Sequence, residues 1–297
     1  METREIKIDA PWGKIALKLW GDERDPAVFA IHGVMDNAGS FDNLIPLLPT
    51  HMFYICVDLP GHGKSDHFPP HLPIFTINYV LTYIIVTDYF KTGKYIVMGH
   101  SYGGQIGQLF SRIYPERVEK LIMFDTIYTN PIPTKYYREY LEDKFSTYLY
   151  LENKMKTGEA PLYSYQEAVD KIMKVRPYPI EGDAVKNLLK RMLIPVEGDK
   201  YKLSIDQRLK CFINPLHNDK YAIDSLTESP LKCPVLMIFG LDSRAQRHLL
   251  RPILSHLKKQ KNVTVKYVPG HHDVHQNDPE RVAPIVNEFL AVTKSKL

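Results

Sequence analysis

The sequence predicts an α/β fold, a mostly parallel sheet flanked by helices, and three observations support this. Short apolar runs that favour strands alternate with helical patterns along most of the 297 residues. The alternation is interrupted once, between residues 128 and 229. A serine stands in the glycine-rich stretch "GHSYGG", directly after one apolar run and before a helical pattern. A sheet core with one insertion is therefore expected.

The predicted strands fall into two groups. Two early runs, "REIKIDA" and "GKIALKLWG", are separated by the turn Pro11-Trp12-Gly13 and predict an antiparallel pair. The later runs are mostly continuous and apolar, as is typical of strands that are covered on both faces. They are "AVFAIHG", "FYICVDL", "YIVMGH", "KLIMFDT", "PVLMIFG" and "TVKYVP". Helical stretches such as "YGGQIGQLFSRIYPERV" and "PERVAPIVNEFL" alternate with them, which predicts helices on both sides of the sheet.

The interruption predicts an inserted helical cap. Residues 128–229 are rich in tyrosine, lysine and helix-like patterns and contain no convincing buried strand. The segment directly follows a strand, so it is expected to lie over the sheet edge where ligands bind in such folds. A separate helical domain is the alternative. We predict a core of residues 1–127 and 230–297 and a cap of residues 128–229.

Composition excludes some classes of function. The formal net charge of +4 is small and the basic residues are dispersed, so no nucleic-acid partner is predicted. No apolar stretch is long enough to predict a membrane span. The three cysteines show no disulfide or metal-binding spacing, and they are Cys56, Cys211 and Cys233. The sequence does not indicate an oligomeric state.

The last three residues match a targeting signal. Ser295, Lys296 and Leu297 form the tripeptide that the peroxisomal import receptor binds. The sequence therefore predicts this receptor as a partner and the peroxisome as the location, with the cytoplasm as a second location.

Ser101 is the candidate nucleophile. It is the serine of a G-x-S-x-G motif, Gly99 to Gly103, with an apolar strand before it and a helix after it. Small residues are needed in such a tight turn, because side chains there would collide with the strand and the helix. The amide of Tyr102 is the first candidate donor of an oxyanion hole, and Val34, after His32-Gly33, is the second.

A serine hydroxyl needs a base to accept its proton and an acid to orient that base. Three histidines compete in "VPGHHDVHQNDPERV", namely His271, His272 and His275. A metal site is the other interpretation of these histidines, but no carboxylate or cysteine cluster completes it, so no metal and no cofactor are predicted. Asp242 follows the strand "PVLMIFG" and is the preferred acid, and Asp125, which ends "KLIMFD", is the alternative.

With these motifs the chain resembles the α/β-hydrolases over nearly its whole length. It is most similar to the serine hydrolase-like (kraken-like) family, on the stretches "IHGVMDNAGSFDNLIPLLP", "GLDSR" and "VPGHHDVHQNDPERVAPIVNEFL". In this superfamily the catalytic histidine commonly precedes a helix-starting proline by seven residues, which implies His272 before Pro279. The resemblance implies a Ser101, Asp242 and His272 triad. Val34 departs from the family, because many relatives carry an aromatic residue there.

The resemblance also implies an activity. We expect a serine hydrolase that cleaves a small-molecule carboxylic ester or thioester through an acyl-enzyme, with a lipid-derived acyl group as a candidate substrate. Two alternatives stay open at this point. One is a non-catalytic ligand-binding protein on a hydrolase scaffold, and the other is a carbon–carbon bond hydrolase or a cofactor-free oxygenase.

Overall fold

The structure, a computed structural model, describes residues 1–174, 176, 178–243 and 250–291. Within these ranges all eight segments predicted as strands form strands, and two short strands that the sequence did not predict form a separate pair. In chain order the strands are β1 Thr3–Ala10, β2 Gly13–Trp20, β3 Ala27–Ile31, β4 Phe53–Val57, β5 Tyr95–His100, β6 Val118–Phe124, β7 Leu193–Val196, β8 Lys200–Leu203, β9 Val235–Gly240 and β10 Val263–Val268.

The main sheet has eight strands in the order β1-β2-β4-β3-β5-β6-β9-β10. β1 and β2 form the predicted antiparallel pair, and β2 is also antiparallel to β4. From β4 to β10 all neighbours are parallel. Every residue of β3, β4, β5 and β9 is buried, as expected for strands covered on both faces. The predicted fold class is confirmed.

Helices cover both faces of the sheet. Successive side chains of a strand point to opposite faces, so a strand that is apolar throughout needs helices on both sides. Phe29 of β3 packs against Tyr83, with ring centroids 4.8 Å apart. Its neighbour Ala30 belongs to the core cluster on the other face, which also contains Val282. The helices are α1 Val80–Phe90, α2 Tyr102–Ile113, α3 Tyr137–Thr157, α4 Tyr165–Lys174, α5 Gly182–Met192, α6 Asp219–Glu228, α7 Arg251–Leu257, α8 Val274–Asn277 and α9 Pro279–Ala291.

The chain between β6 and β9 does not join the main sheet. It contains α3 to α6, as the helical interpretation predicts, and also the small antiparallel pair of β7 and β8. The expectation of an all-helical insertion was therefore wrong over residues 193–203. These strands are short and partly exposed, and Gly198 and Asp199 turn the chain between them with φ of 71° and 52°. We keep the name cap segment for residues 128–229, and its boundaries stay a prediction.

The topology brings the candidate residues to one edge of the sheet. Two candidates directly follow the carboxyl end of a strand, Ser101 after β5 and Asp125 after β6. The other two lie a few residues further on, Asp242 after β9 and His272 after β10. No α-helix in the described ranges combines the length and the hydropathy that a bilayer crossing needs. The predicted targeting tripeptide, Ser295, Lys296 and Leu297, lies outside the described residues, so it stays a prediction.

Candidate active site

Ser101 occupies a strained turn between β5 and α2. Its φ of 49° and ψ of −114° lie in a region that non-glycine residues rarely adopt, and such strain is typical of functional sites. Its amide donates to the carbonyl of Phe124 at 2.9 Å. A Cβ on Gly99 would lie 2.4 Å from the backbone nitrogen of Gly104, and one on Gly103 would lie 2.3 Å from the carbonyl oxygen of Ile31. The glycines of the motif therefore allow the close packing of strand, turn and helix.

His272 lies beside this turn. Its ring is 4.7 Å from the ring of His100, measured between centroids, and its carbonyl is 3.1 Å from His100 Nε2. His275 also contacts His100, with ring centroids 4.1 Å apart, but of the three competing histidines His272 is the one whose ring nitrogen lies within hydrogen-bond distance of a carboxylate in the described ranges. His275 is fully buried, and His271 is exposed and stacks on Tyr178.

The carboxylate that holds His272 is Asp125. Its Oδ2 is 2.6 Å from His272 Nδ1. The same carboxylate accepts hydrogen bonds from the amide of Gly240 at 3.0 Å and from the hydroxyl of Ser243 at 2.5 Å. Asp125 is buried, and since a carboxylate can only accept, Nδ1 of His272 carries the proton and Nε2 is left as the base. No hydrogen bond joins Nε2 to Ser101 within the described ranges.

Asp242, the preferred acid in the sequence interpretation, lies elsewhere. Its side chain is exposed and accepts from the amide of Gly270 at 3.2 Å, so it braces the histidine loop from outside. The backbone explains the difference. Asp242 continues the pairing beyond β9, with its amide 3.0 Å from the carbonyl of Gly270, whereas Asp125 has a φ of 47° that turns its side chain beneath His272. The alternative, Asp125, is therefore the residue that the structure brings to His272.

The charge state of His272 follows from its surroundings. Burial lowers the pKa of the imidazole, but the hydrogen bond to Asp125 and the negative charges of Asp273 and Asp36 outweigh it. The net effect raises the pKa of His272 above its ordinary value of 6.5. The site therefore favours a histidine that accepts a proton and holds it as an imidazolium.

The loop after β3 lies against the same turn. A Cβ on Gly33 would approach His100 Nδ1 to 2.8 Å, so a glycine is required for this contact. His32 braces the loop, since its Nδ1–H donates to the carbonyl of Gly33 at 2.7 Å and its Nε2 accepts from the amide of Leu59 at 3.0 Å. The amides of Val34 and Tyr102 are not bonded to any other residue that the structure describes.

A buried polar cluster lies behind the turn. Ligand atoms of Asp36, His100 and Asp273 lie within 4.8 Å of one another, which is close enough to hold a metal ion. The guanidinium of Arg176 bonds both carboxylates. A positive charge therefore already stands where a cation would bind. The sequence interpretation missed this cluster, because its members come from four distant parts of the chain.

Comparisons with known proteins support the fold. A family model described as the alpha/beta hydrolase fold matches residues 26–151. The chain is 31% identical to the serine hydrolase-like protein of Mus musculus over 299 residues, covering 96% of this chain and 95% of the relative. It superposes on the crystal structure of a hypothetical protein from Pseudomonas aeruginosa PAO1 with a TM-score of 0.84 at 25% identity, covering 97% and 99% of the two chains. A thioesterase domain from the curacin biosynthetic pathway shares the fold, with a TM-score of 0.79 at 17% identity and coverage of 96% and 99%.

The sheet order, the serine on its strained turn and these matches place the protein among the α/β-hydrolases. Within that class the similarity to curated relatives extends over nearly the whole chain. The chain belongs to the serine hydrolase-like family. The resemblance inferred from the sequence is thus confirmed.

Proposed function

We propose that this protein is a serine hydrolase that cleaves a carboxylic ester or thioester through an acyl-enzyme. The observation that carries the proposal is the 2.6 Å hydrogen bond between His272 and the buried carboxylate of Asp125, next to the turn that presents Ser101. This supports a nucleophile, base and acid in the order that nucleophilic catalysis requires.

In the first step Ser101 becomes acylated. Nε2 of His272 accepts the hydroxyl proton of Ser101 while Oγ attacks the carbonyl carbon of the substrate. Asp125 stabilises the imidazolium that forms, because its carboxylate faces Nδ1–H. The imidazolium then donates its proton to the departing alcohol or thiol, and the acyl group stays on Oγ.

The negative charge on the carbonyl oxygen needs donors during this step. The amides of Tyr102 and Val34 are the candidates, as the sequence predicts. Tyr102 begins α2, and the amides of a first helical turn have no acceptor within the helix and carry a partial positive charge. The loop that carries Val34 packs on His100 through Gly33, and His100 directly precedes Ser101.

In the second step water releases the acid. His272, neutral again, accepts a proton from a water molecule that attacks the acyl carbonyl, and Ser101 Oγ leaves with the proton that His272 returns. The products are a carboxylic acid and the restored hydroxyl of Ser101. Every proton transfer in both steps uses the same nitrogen of His272.

An apolar wall beside the turn supports a hydrocarbon-rich acyl group. The ring of Tyr102 packs against Phe212 of the cap segment, with centroids 5.0 Å apart. Phe212 also lines a half-open cavity of about 350 Å³, together with the apolar and aromatic Ile132, Tyr136 and Tyr140 and the polar Asn130, Lys144 and Asn214. A mainly apolar lining with a few polar groups is typical of sites that bind small molecules. We therefore propose a lipid-derived acyl group as the substrate, joined to an alcohol or a thiol.

Labelling with a fluorophosphonate probe tests the proposal directly, because the probe reacts with an activated serine. We expect wild-type protein to be labelled and Ser101→Ala and His272→Ala to remain unlabelled. Hydrolysis of a short acyl ester should fall by about 10⁴-fold or more in Ser101→Ala. The variant should stay folded, because the half-buried hydroxyl contributes little to stability.

Circular dichroism of each variant provides the control for folding. Labelling that persists in Ser101→Ala would place the reactive serine elsewhere. Folded wild-type protein that is never labelled and hydrolyses neither esters nor thioesters would contradict the proposal and favour the ligand-binding alternative.

A further inference from the structure

Arg176 extends from the cap segment into the core of the protein. Its side chain is only 13% exposed, and its guanidinium contacts two carboxylates, those of Asp36 and Asp273. Nη1 is 3.0 Å from Asp273 Oδ1, and Nη2 bonds Asp36 Oδ1. The two carboxylate side chains are 2% and 4% exposed, so the three groups form a buried ionic cluster.

Both carboxylates lie on loops that the proposed mechanism uses. Asp36 is two residues after Val34, whose amide is a proposed oxyanion donor, and Asp273 is next to His272. His100 lies between them, with Nδ1 3.7 Å from Asp36 Oδ2 and Nε2 4.0 Å from Asp273 Oδ1. The cluster thus joins the two loops behind the nucleophile turn.

The cluster depends on the positive charge. Two carboxylates that are buried close together repel each other and are costly to desolvate without a counter-ion. Burial alone would raise the pKa of Asp36, yet the charge of Arg176 holds it well below its usual range. The amide of Gln276 also donates to both carboxylates, at 3.2 Å and 3.1 Å, but it carries no charge. If the guanidinium is removed, the loops are expected to move apart.

We infer that Arg176 is a positioning residue, which clamps the cap segment onto the loop after β3 and the histidine loop and so aligns the oxyanion donor with His272. The inference rests on the proposed function. A guanidinium suits this task because its planar fork bonds two carboxylates at once, whereas a lysine ammonium would act as a point charge. The same contacts of Arg176 then dock the cap segment and align the two loops of the site.

A second buried arginine of the cap segment provides a matched control. Arg191 of α5 is 4% exposed and also bonds two core carboxylates, those of Asp58 at 2.8 Å and Glu5 at 2.6 Å. Glu5 lies on β1 and Asp58 follows β4, so neither is adjacent to a proposed catalytic residue. Arg191 therefore joins the cap segment to the core without joining the two catalytic loops to each other.

The test compares Arg176→Gln with Arg191→Gln, using the rate of fluorophosphonate labelling and the kcat and KM of ester hydrolysis. We expect Arg176→Gln to lower the labelling rate and kcat by about 10- to 100-fold with little change in KM, because misplaced groups lose contacts in the transition state. Arg191→Gln should lower the melting temperature while the folded protein keeps its labelling rate. Arg176→Lys should give an intermediate rate.

Hydrogen exchange separates failure of the clamp from failure of the proposed function. In Arg176→Gln we expect faster exchange in residues 33–37 and 271–277. In Arg191→Gln we expect no change in residues 271–277, and residues 33–37 are not compared in this variant, because Asp58, the partner of Arg191, also accepts from the amide of Ala38 at 2.7 Å. This readout holds even if the wild-type protein is never labelled. The clamp is overturned if folded Arg176→Gln exchanges like wild type in both segments, or if it is labelled at the wild-type rate when wild type is labelled.

Discussion

Ser101 and His272 lie at the same edge of the sheet, but they are held there in different ways. The turn of Ser101 is determined by its near neighbours, since Gly99 and Gly103 remove the side chains that would collide with strand and helix. His272 is held by Asp125, which is 147 positions away in the chain, at the end of another strand. A local steric requirement thus fixes the proposed nucleophile, and long-range packing fixes the proposed base.

Replacing each candidate acid in turn is the strongest way to test this comparison. We expect Asp125→Asn to lower kcat/KM by about 10³- to 10⁴-fold, because an amide cannot hold the proton of His272 on Nδ1 in the same way. Asp242→Asn should change kcat/KM by no more than a few-fold, since among the residues that the structure describes its carboxylate accepts from the amide of Gly270 and not from His272. Ester hydrolysis of the two purified variants is the measurement.

A larger loss of kcat/KM in Asp242→Asn than in Asp125→Asn would show that the histidine loop rearranges during catalysis and that Asp242 is the acid. Equal and large losses would assign the acid to neither carboxylate alone. Melting temperatures provide the control, because Asp125 also accepts from Gly240 and Ser243 and its replacement is expected to cost some stability.

The same contrast explains what the sequence could predict. The eight main strands were predicted because their apolar runs are strong, and Ser101 was predicted because its motif is local. The sequence left two candidate acids, with Asp242 preferred over Asp125, since both lie between serine and histidine in the chain and both follow strands at the same edge. Only the backbone turn at Asp125, with its φ of 47°, separates them.

The β7–β8 pair was missed for a related reason. Its first strand, "LIPV", is apolar but only four residues long and contains a proline, which is unfavourable inside a strand, and its second, "KYKL", is half lysine. The glycine and aspartate between "LIPV" and "KYKL" were the available turn signal. The Arg176 cluster had no comparable signal, because each of its charges is ordinary in its own stretch of sequence.

Gly103→Ala tests whether close packing determines the turn of Ser101. Its new Cβ would lie 2.3 Å from the carbonyl oxygen of Ile31 and 2.6 Å from that of His32, and both are backbone atoms that cannot move cheaply. We expect a loss of about 3 kcal/mol in the free energy of unfolding, measured by urea denaturation. Labelling of the folded variant should also slow, since β3 and the turn are pushed apart.

Gly198→Ala is the matched control in the β7–β8 turn. Gly198 has a φ of 71°, but a Cβ added there would have no atom of the described residues within 4 Å, apart from its own residue and its two chain neighbours. Its replacement adds backbone strain without a collision and should cost about 1 kcal/mol. A cost at Gly103 no larger than this would contradict the steric account of the Ser101 turn.

The pH dependence of labelling tests the distant contacts that hold His272, and we expect it to show the smallest effect. His272 must be neutral to accept the proton of Ser101, so activity is lost as the pH falls through its pKa. Because that pKa is raised above 6.5, the acid limb of the labelling rate should have its midpoint above pH 6.5. The charge of Asp273 contributes to the increase, so Asp273→Asn should move the midpoint to lower pH.

The pH dependence of stability independently checks the direction in which folding shifts the pKa of His272. A histidine whose pKa is raised by folding stabilises the protein fully below its unfolded pKa, and this contribution disappears as the pH rises through the folded pKa. Asp273→Asn should therefore reduce the difference in melting temperature between acidic and neutral pH, whereas Asp242→Asn should leave both the midpoint and this difference unchanged. A midpoint that does not move in Asp273→Asn would show that the charge of Asp273 does not set the protonation of His272, which would then depend on the hydrogen bond to Asp125 and on the charges of Asp125 and Asp36.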